Sequence, residues 1–471
     1  MTTAIVVGSG PNGLAAAATL ASAGVEVTVL EAASSIGGGT RTSERTLPGL
    51  LHDHCSAFHP MGAGSPFLRS LDLARYGVRW RWAGVDLAHP LDGGSAGVMV
   101  RSREETAGQL GRDGKAWLRL FDPLTDGFDD LAADVMRPVT AVPAHPVRLA
   151  RFGLLALQPA TWIARRWQTE EARALFTGIA AHGIYPLNRP TTAAIALLLA
   201  AAGHRHGWPV AEGGSRVISD ALAKMTQDHG GRIETGVRVT SLASLPRADI
   251  VMLDLAPSAV VSLAGDRLPA RVRRAYQRYR HGPGAFKLDL AVEGGIPWTN
   301  PHCRQAGTVH VAGTTREILE AERAVHRGQM PGRPFVLVGQ QYLADPTRSR
   351  GNTHPVWAYA HVPAGYPADA TSAIIAQIER FAPGFRDRIV AQAQTAPPQW
   401  PAYNANYIGG DILTGANSPW QLALRPRPAL NPYRTGIPGV YICSAATPPG
   451  AGVHGMCGYN AAQSALSRPD R

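Results

Sequence analysis

An uninterrupted apolar run at positions 4–7, "AIVV", predicts a buried strand over Thr3 to Val7. The small residues from Pro11 to Ala23 predict a close-packing helix and Val25 to Leu30 a second strand, so the chain begins as a βαβ unit. From about Pro66 to Arg205 the pattern is mainly helical, with loops around Pro138, Pro143 and Pro146. Positions 212–242 return to helix, turn and strand, and "RADIVMLDLAP" adds an apolar strand ending near Pro257. The stretches "GAFKLDLAVEGGIPW" and "RPFVLVGQQYL" alternate as strands of a half-covered sheet do. The last strong pattern, "GVYICSAATPPGAGVHGMCGYNAAQSAL", reads as a strand, a Gly/Pro-rich turn and a helix. Elements of one kind therefore recur at both ends and in the middle, which implies interleaved units rather than domains laid end to end.

A length of 471 residues suits two intimately packed domains, with ample apolar content for their cores. Cys55, Cys303, Cys443 and Cys457 form no CxxC pair, so a disulfide framework, a zinc site and a dithiol centre are not expected, and no metal is expected. The opening residues show no basic leader or cleavage site, which gives the cytoplasm as the expected compartment. The net charge of +11 comes almost wholly from arginine, since Lys115, Lys224 and Lys287 are the only lysines. No basic stripe interleaved with aromatics appears, so nucleic acid is not an expected partner. One stretch, His145 to Trp167, sets Arg148, Arg151, Arg165 and Arg166 among Leu, Phe and Trp. It reads first as a partly buried helix pair broken at Pro159, and second as a peripheral contact with an anionic membrane surface. No apolar run reaches the ~20 residues of a membrane span.

Chemistry enters with the glycines. Gly8, Gly10 and Gly13 follow a strand and open a helix, the spacing for a tight turn, a close approach to pyrophosphate and close helix packing. Glu31, ending the second predicted strand, can accept hydrogen bonds from a ribose diol. A second run, Gly37 to Thr42, brings further backbone amides to the same pyrophosphate, and Arg41 offers a charged fork to a phosphate.

The pattern "GxGxxG" followed by "ExxxxxGGxxRT" resembles the FAD-binding start shared by amine oxidases and phytoene desaturases, and "PGVYICSAATPPGAGVHGMCGYNAA" is similar to the flavin-binding end of the phytoene desaturase branch. The segments "PGLLHDHCSAFHPMGAGSPFLRSL", "DPTRSRGNTHPVWAYAHVP", "RFAPGFRDRIV" and "NANYIGGDILTG" resemble bacterial phytoene dehydrogenase-like oxidoreductases. That group is similar to the animal "pyridine nucleotide-disulfide oxidoreductase domain-containing" proteins, although without CxxC or a second GxGxxG a disulfide-reductase role has no support. The resemblance implies an α/β chain in which a Rossmann-type FAD-binding domain (1–65, 206–265 and 405–471) is interleaved with a mixed α+β substrate domain. The latter comprises 66–205, mainly helical, and 266–404, mainly sheet. The cofactor-binding set becomes Gly8, Gly10, Pro11, Asn12, Gly13, Glu31, Ala32, Gly38, Gly39, Thr40, Arg41, Val239, Gly452, Val453, His454, Gly455 and Met456. Val239 enters through its backbone at the adenine side, and the helix from about Gly455 points its positive end at the reduced flavin.

Catalytic candidates are few because flavin performs the electron chemistry. Lys287 matches the lysine that in amine oxidases holds a water beside the flavin, or is a salt-bridged core lysine. His454 stands where carotenoid desaturases carry proline and places a proton donor near the ring; His59 follows a segment that passes the flavin in the family. His182 and Tyr185 are candidates for the cavity wall, and equally for core or surface positions. Met456 replaces the aromatic residue that completes the amine cage of amine oxidases, and "PAYNANYIGGD" lacks the cysteine of covalent flavin attachment. The expected partner is a small apolar substrate rather than a macromolecule, and the expected function is hydride transfer between FAD and an extended apolar unsaturated molecule such as a polyene, isoprenoid or lipid. The alternatives are a flavin amine oxidase, a flavin-dependent isomerase or saturase, and a flavin-binding scaffold.

Overall fold

The apolar runs of the first thirty residues form the middle of a parallel sheet. In the computed structural model, which describes residues 2–467, Thr3–Val7 pairs on one side with Glu26–Glu31 and on the other with Ile250–Leu253. Arg232–Thr235 and Val440–Ile442 complete the two edges, giving five strands in parallel. A parallel sheet is covered on both faces, which is why its central strands read as continuous apolar runs: Val6, Met252 and Ile442 are fully buried.

The first helix, Pro11–Ser22, follows its strand with proline in the first turn, where the missing N–H costs nothing. Its inner surface is alanine from Ala15 to Ala18, which lets the last helix, Met456–Leu466, lie directly against it. A Cβ at Gly458 would overlap the Asn12 carbonyl oxygen, and one at Gly13 would overlap that of Gly8. The two ends of the chain are thereby locked together.

A second sheet of seven strands is mixed. Gly284–Glu293 lies between Ile389–Thr395 and Thr353–Val362, all antiparallel. Val336–Gly339, Ala306–Val311, Val85–Pro90 and Ala96–Met99 continue the order. The stretch from Pro66 to Arg205 is mainly helical, as expected, and also contains the hairpin Val85–Pro90 and Ala96–Met99, turned at "DGG". One expectation is corrected here. The alternation in "GAFKLDLAV" does not mark a half-covered sheet, because everything from Gly284 to Val292 is buried. One face, with Phe286, Leu288 and Leu290, meets the helix Thr371–Glu379 in an apolar core. On the other, Lys287 and Asp289 pair with each other, and Asp289 also receives Arg45 Nε at 2.7 Å.

Helices Gly114–Asp126, Glu170–Ala181 and Thr192–His206 gather around Trp117, Phe121, Trp167 and Phe176. Trp117 Nε1 donates to His204 Nε2 at 3.0 Å, which satisfies one buried indole of this core. Among the described residues no helix is long and apolar enough to cross a membrane.

Candidate dinucleotide site and cavity

The turn between the first strand and first helix is held from three sides. Glu31 Oε2 accepts from Ser9 N (2.9 Å) and Ser9 Oγ (2.6 Å), and its Oε1 accepts from Ala33 N at 2.8 Å. Arg41 Nη2 stands 3.6 Å from the same carboxylate. Arg41 is itself fixed by the carbonyls of Ser35 (2.8 Å) and Tyr403 (2.9 Å), and the Tyr403 hydroxyl donates to Gly38 O at 2.6 Å. Beneath the turn Asp254 Oδ2 accepts from Gly13 N at 3.0 Å. Burial pushes the Asp254 carboxyl up to about 7, and Asn406 Nδ2 donates to its backbone carbonyl at 3.0 Å. Asp254, Tyr403 and Asn406 were not foreseen. Only Asp254 had a signal, a carboxylate ending the buried run "IVMLD".

A cavity of about 980 Å³ opens from this turn. Its wall includes Gly8, Gly10, Pro11, Asn12, Glu31, Ala32, Gly38, Gly39, Arg41, Val239, Gly452, Val453, His454 and His59, all expected in the site. Gly13 is absent from the wall because it packs under the turn, as is Thr40, whose hydroxyl donates to Gly37 O at 2.7 Å. Gly455 and Met456 also lie behind it, at the start of the last helix. Lys287 is buried in its ion pair beneath the wall, with Nζ 5.9 Å from the ring centre of Trp357, which does line the cavity. His182 lines the cavity, whereas Tyr185 stands off the wall, edge-on to His326 at 5.0 Å.

Burial keeps the cavity histidines His59, His182 and His454 neutral. Ser215 Oγ donates to Ser56 O at 2.7 Å, so at 2.9 Å it accepts from His59 Nε2. His454 Nδ1 accepts from Met456 N at 3.1 Å and so helps to cap the last helix. Burial lowers both to about 4. At neutral pH His454 is therefore an imidazole with its proton on Nε2, not an imidazolium, so the donor it offers is that neutral Nε2–H. His182 Nε2 lies 2.9 Å from His310 Nε2, at a polar end of the cavity where Thr308 Oγ1, Trp208 Nε1 and Trp357 Nε1 are buried without hydrogen-bond partners among the described residues. Such groups hydrogen-bond to a ligand or ordered water.

These shifts set a pH dependence. Burial lowers His59, His89, His204 and His454 to about 4, His182 to about 3, and His310 in the same direction, all from 6.5. Between pH 6.5 and 4 the unfolded chain therefore binds protons that the folded chain refuses, so stability falls as pH falls through this window. Asp86 and Asp254, raised to about 7 from 3.8 by burial, act in the opposite sense, but two acids do not outweigh six histidines. Thermal unfolding is expected to shift down by about 5 °C between pH 7 and pH 5.5. A flat profile would show the histidines charged in the fold.

Comparison with known proteins agrees with this geometry. Residues 6–72 match the NAD(P)-binding Rossmann-like domain family. Over 98% of its length the chain is similar to the pyridine nucleotide-disulfide oxidoreductase domain-containing protein 2 of Rattus norvegicus, with 25% identity and 92% of that protein covered. An oxidoreductase from Methanosarcina mazei shares its fold at a TM-score of 0.63 and 15% identity, over 99% of this chain and 100% of that one. Cyclohexylamine oxidase from Brevibacterium oxydans does so at 0.56 and 17%, over 99% and 98%. Fold and site together define an oxidoreductase with a dinucleotide cofactor, built on the amine oxidase-like fold.

Proposed function

We propose that the protein is an FAD-dependent oxidoreductase acting on an extended apolar, unsaturated substrate. The observation that carries this reading is the continuity of one cavity from the glycine turn to walls of Leu149, Phe152, Leu198, Leu199, Leu337 and Ile412. Of the carboxylates on that wall, Glu31 and Asp254 belong to the dinucleotide end. Asp134 already accepts from the backbone N–H groups of Ala144 and His145, each at 2.8 Å. None is left to balance an ammonium group in the apolar part.

The residues present fit FAD. A Cβ at Gly38 would come within 3.0 Å of Gly10 Cα, so both glycine runs converge on one backbone cradle, and the buried Asn12 Oδ1 beside it has no partner among the described residues. Glu31 would hold the adenosine ribose, Arg41 a phosphate, and the segment Gly452 to His454 the ring system. When bound, the flavin supplies the two-electron acceptor or donor. The protein contributes a largely apolar wall and fixed neutral imidazoles at His59 and His454. Lys287 is a positioning residue: paired with Asp289, it braces the strand face that carries Trp357 and Tyr359.

Purified protein is expected to be yellow, and to release intact FAD on denaturation, identified by mass spectrometry together with any co-purifying apolar ligand. Colourless protein that takes up no added FAD, or release of a nicotinamide dinucleotide instead, would overturn the reading. Amine oxidation is the second reading, favoured by the aromatic wall residues Trp357 and Tyr359. Their rings stand at 90° with centres 5.0 Å apart, which offers no parallel pair for an amine to enter. With an amine panel, hydrogen peroxide release is expected to remain at background. Anaerobic comparison of product and substrate mass distinguishes desaturation, saturation and isomerisation, as a loss of two hydrogens, a gain of two, or no change.

A further inference from the structure

The helix Pro146–Ala156 turns an apolar stripe toward water. Val147, Ala150 and Leu154 share its outer face with Arg151, and Leu154 is 72% exposed. Nearby Val142 is 85% exposed, and Trp420 and Leu430 from the C-terminal part of the chain reach 80% and 89%. Thr140 Oγ1 donates to Leu430 O at 2.8 Å, which ties the two segments together. Val139, Val142 and Leu157 are exposed and at the same time line the cavity, so they form its mouth, and Leu422 and Ala423 complete the rim. A contiguous apolar rim around an open mouth marks an interaction surface.

Charge identifies what the surface meets. From position 135 to 169 the chain carries Arg137, Arg148, Arg151, Arg165 and Arg166 with no aspartate or glutamate, and from 412 to 467 it carries Arg425, Arg427 and Arg434, again with neither. Arg151, Arg165 and Arg166 make no ion pair among the described residues, and Trp162 is exposed beside them. A second copy of the chain fits poorly, because a two-fold contact would set these arginines against one another with no carboxylate between them. Exposed apolar and Trp side chains flanked by unpaired arginines suit the boundary between acyl chains and anionic headgroups.

We propose that this rim docks on an anionic lipid bilayer, with Val142, Leu154, Trp420 and Leu430 entering the acyl boundary and the arginines at the headgroups. The cavity then opens onto hydrocarbon rather than water. Delivery of an apolar substrate by that route rests on the function proposed above; the docking does not.

Vesicle flotation tests the docking without any substrate. The flavin-loaded protein is expected to float with phosphatidylglycerol–phosphatidylcholine vesicles, weakly with phosphatidylcholine alone, and less at high salt. The double variant Leu154→Glu/Trp420→Glu, at positions outside the cavity wall, should lose at least about tenfold in bound fraction while keeping its flavin spectrum. Arg165→Glu/Arg166→Glu should lose roughly fivefold or more per arginine on the anionic vesicles only. Failure of the wild type to float, or equal flotation of the Leu154/Trp420 variant, overturns the proposal. So does a concentration-dependent dimer in sedimentation that Trp420→Glu dissolves in the absence of vesicle binding. Flotation by a protein that binds no apolar ligand would leave the docking in place and remove the substrate reading.

Discussion

Replacement of Arg348 by methionine is expected to cost about 3–5 kcal/mol, enough to leave little folded protein at physiological temperature. Arg348 is fully buried. Its Nη1 donates to Asp53 Oδ2 at 2.5 Å, its Nε to Asp345 Oδ2 at 3.1 Å and its Nη2 to Ala211 O at 2.7 Å. Methionine fills similar volume but leaves two carboxylates buried without a counter-charge. Burial alone would raise Asp53, yet the Arg348 guanidinium, with hydrogen bonds from Thr42 and Ser215, holds it below its ordinary range. Its stabilising contribution is therefore present above about pH 4 and lost as pH falls below that, which adds to the histidine effect only in strong acid. The damage reaches the cavity too, since Asp53 Oδ1 accepts from Ser215 N at 2.7 Å and Ser215 accepts from His59. Chemical denaturation would show the loss, and Arg348→Met/Asp53→Asn should recover part of it. Equal stability of Arg348→Met and wild type would show that the buried network is not needed for folding.

The second large effect falls on the cofactor. Gly10→Val is expected to weaken binding of the FAD proposed for this site by roughly a hundredfold or more, about 3 kcal/mol, so that the protein purifies colourless. A Cβ there stands 2.6 Å from Asp254 Oδ2 and displaces the carboxylate that accepts from Gly13 N, while the branched side chain fills the approach to pyrophosphate. Gly10 has φ −67°, so backbone strain plays no part. Retention of flavin by the folded variant, measured by absorbance per protein, would place the dinucleotide elsewhere.

The parts of this molecule legible in its sequence are those governed by local rules. A buried parallel strand is a run of apolar residues, and a turn that must approach a phosphate is a run of glycines; Thr3–Val7, Gly8 to Gly13 and Glu31 follow directly. Tyr403 clasps Gly38 across more than three hundred and fifty residues, and no periodicity announces such closure. Lys287 shows a different limit. Alternation in its strand is real, yet a second layer covers the polar face, so the lysine answers to Asp289 rather than to solvent or the cavity. In helix Pro146–Ala156 the spacing of apolar residues is visible, but which way the stripe faces depends on the wall that Phe152 and Ala156 already occupy.

The contact between Gly458 and the Asn12 carbonyl has a kinetic side. The helix that closes over the glycine turn is synthesised about 450 residues after it. At ~5–20 residues per second that interval is roughly 20–90 s. Throughout it the alanine face of the first helix and the apolar strands beside it lack their final cover. Cofactor capture is thus a late event in biogenesis, and the nascent chain is a natural client for chaperones until its two ends meet.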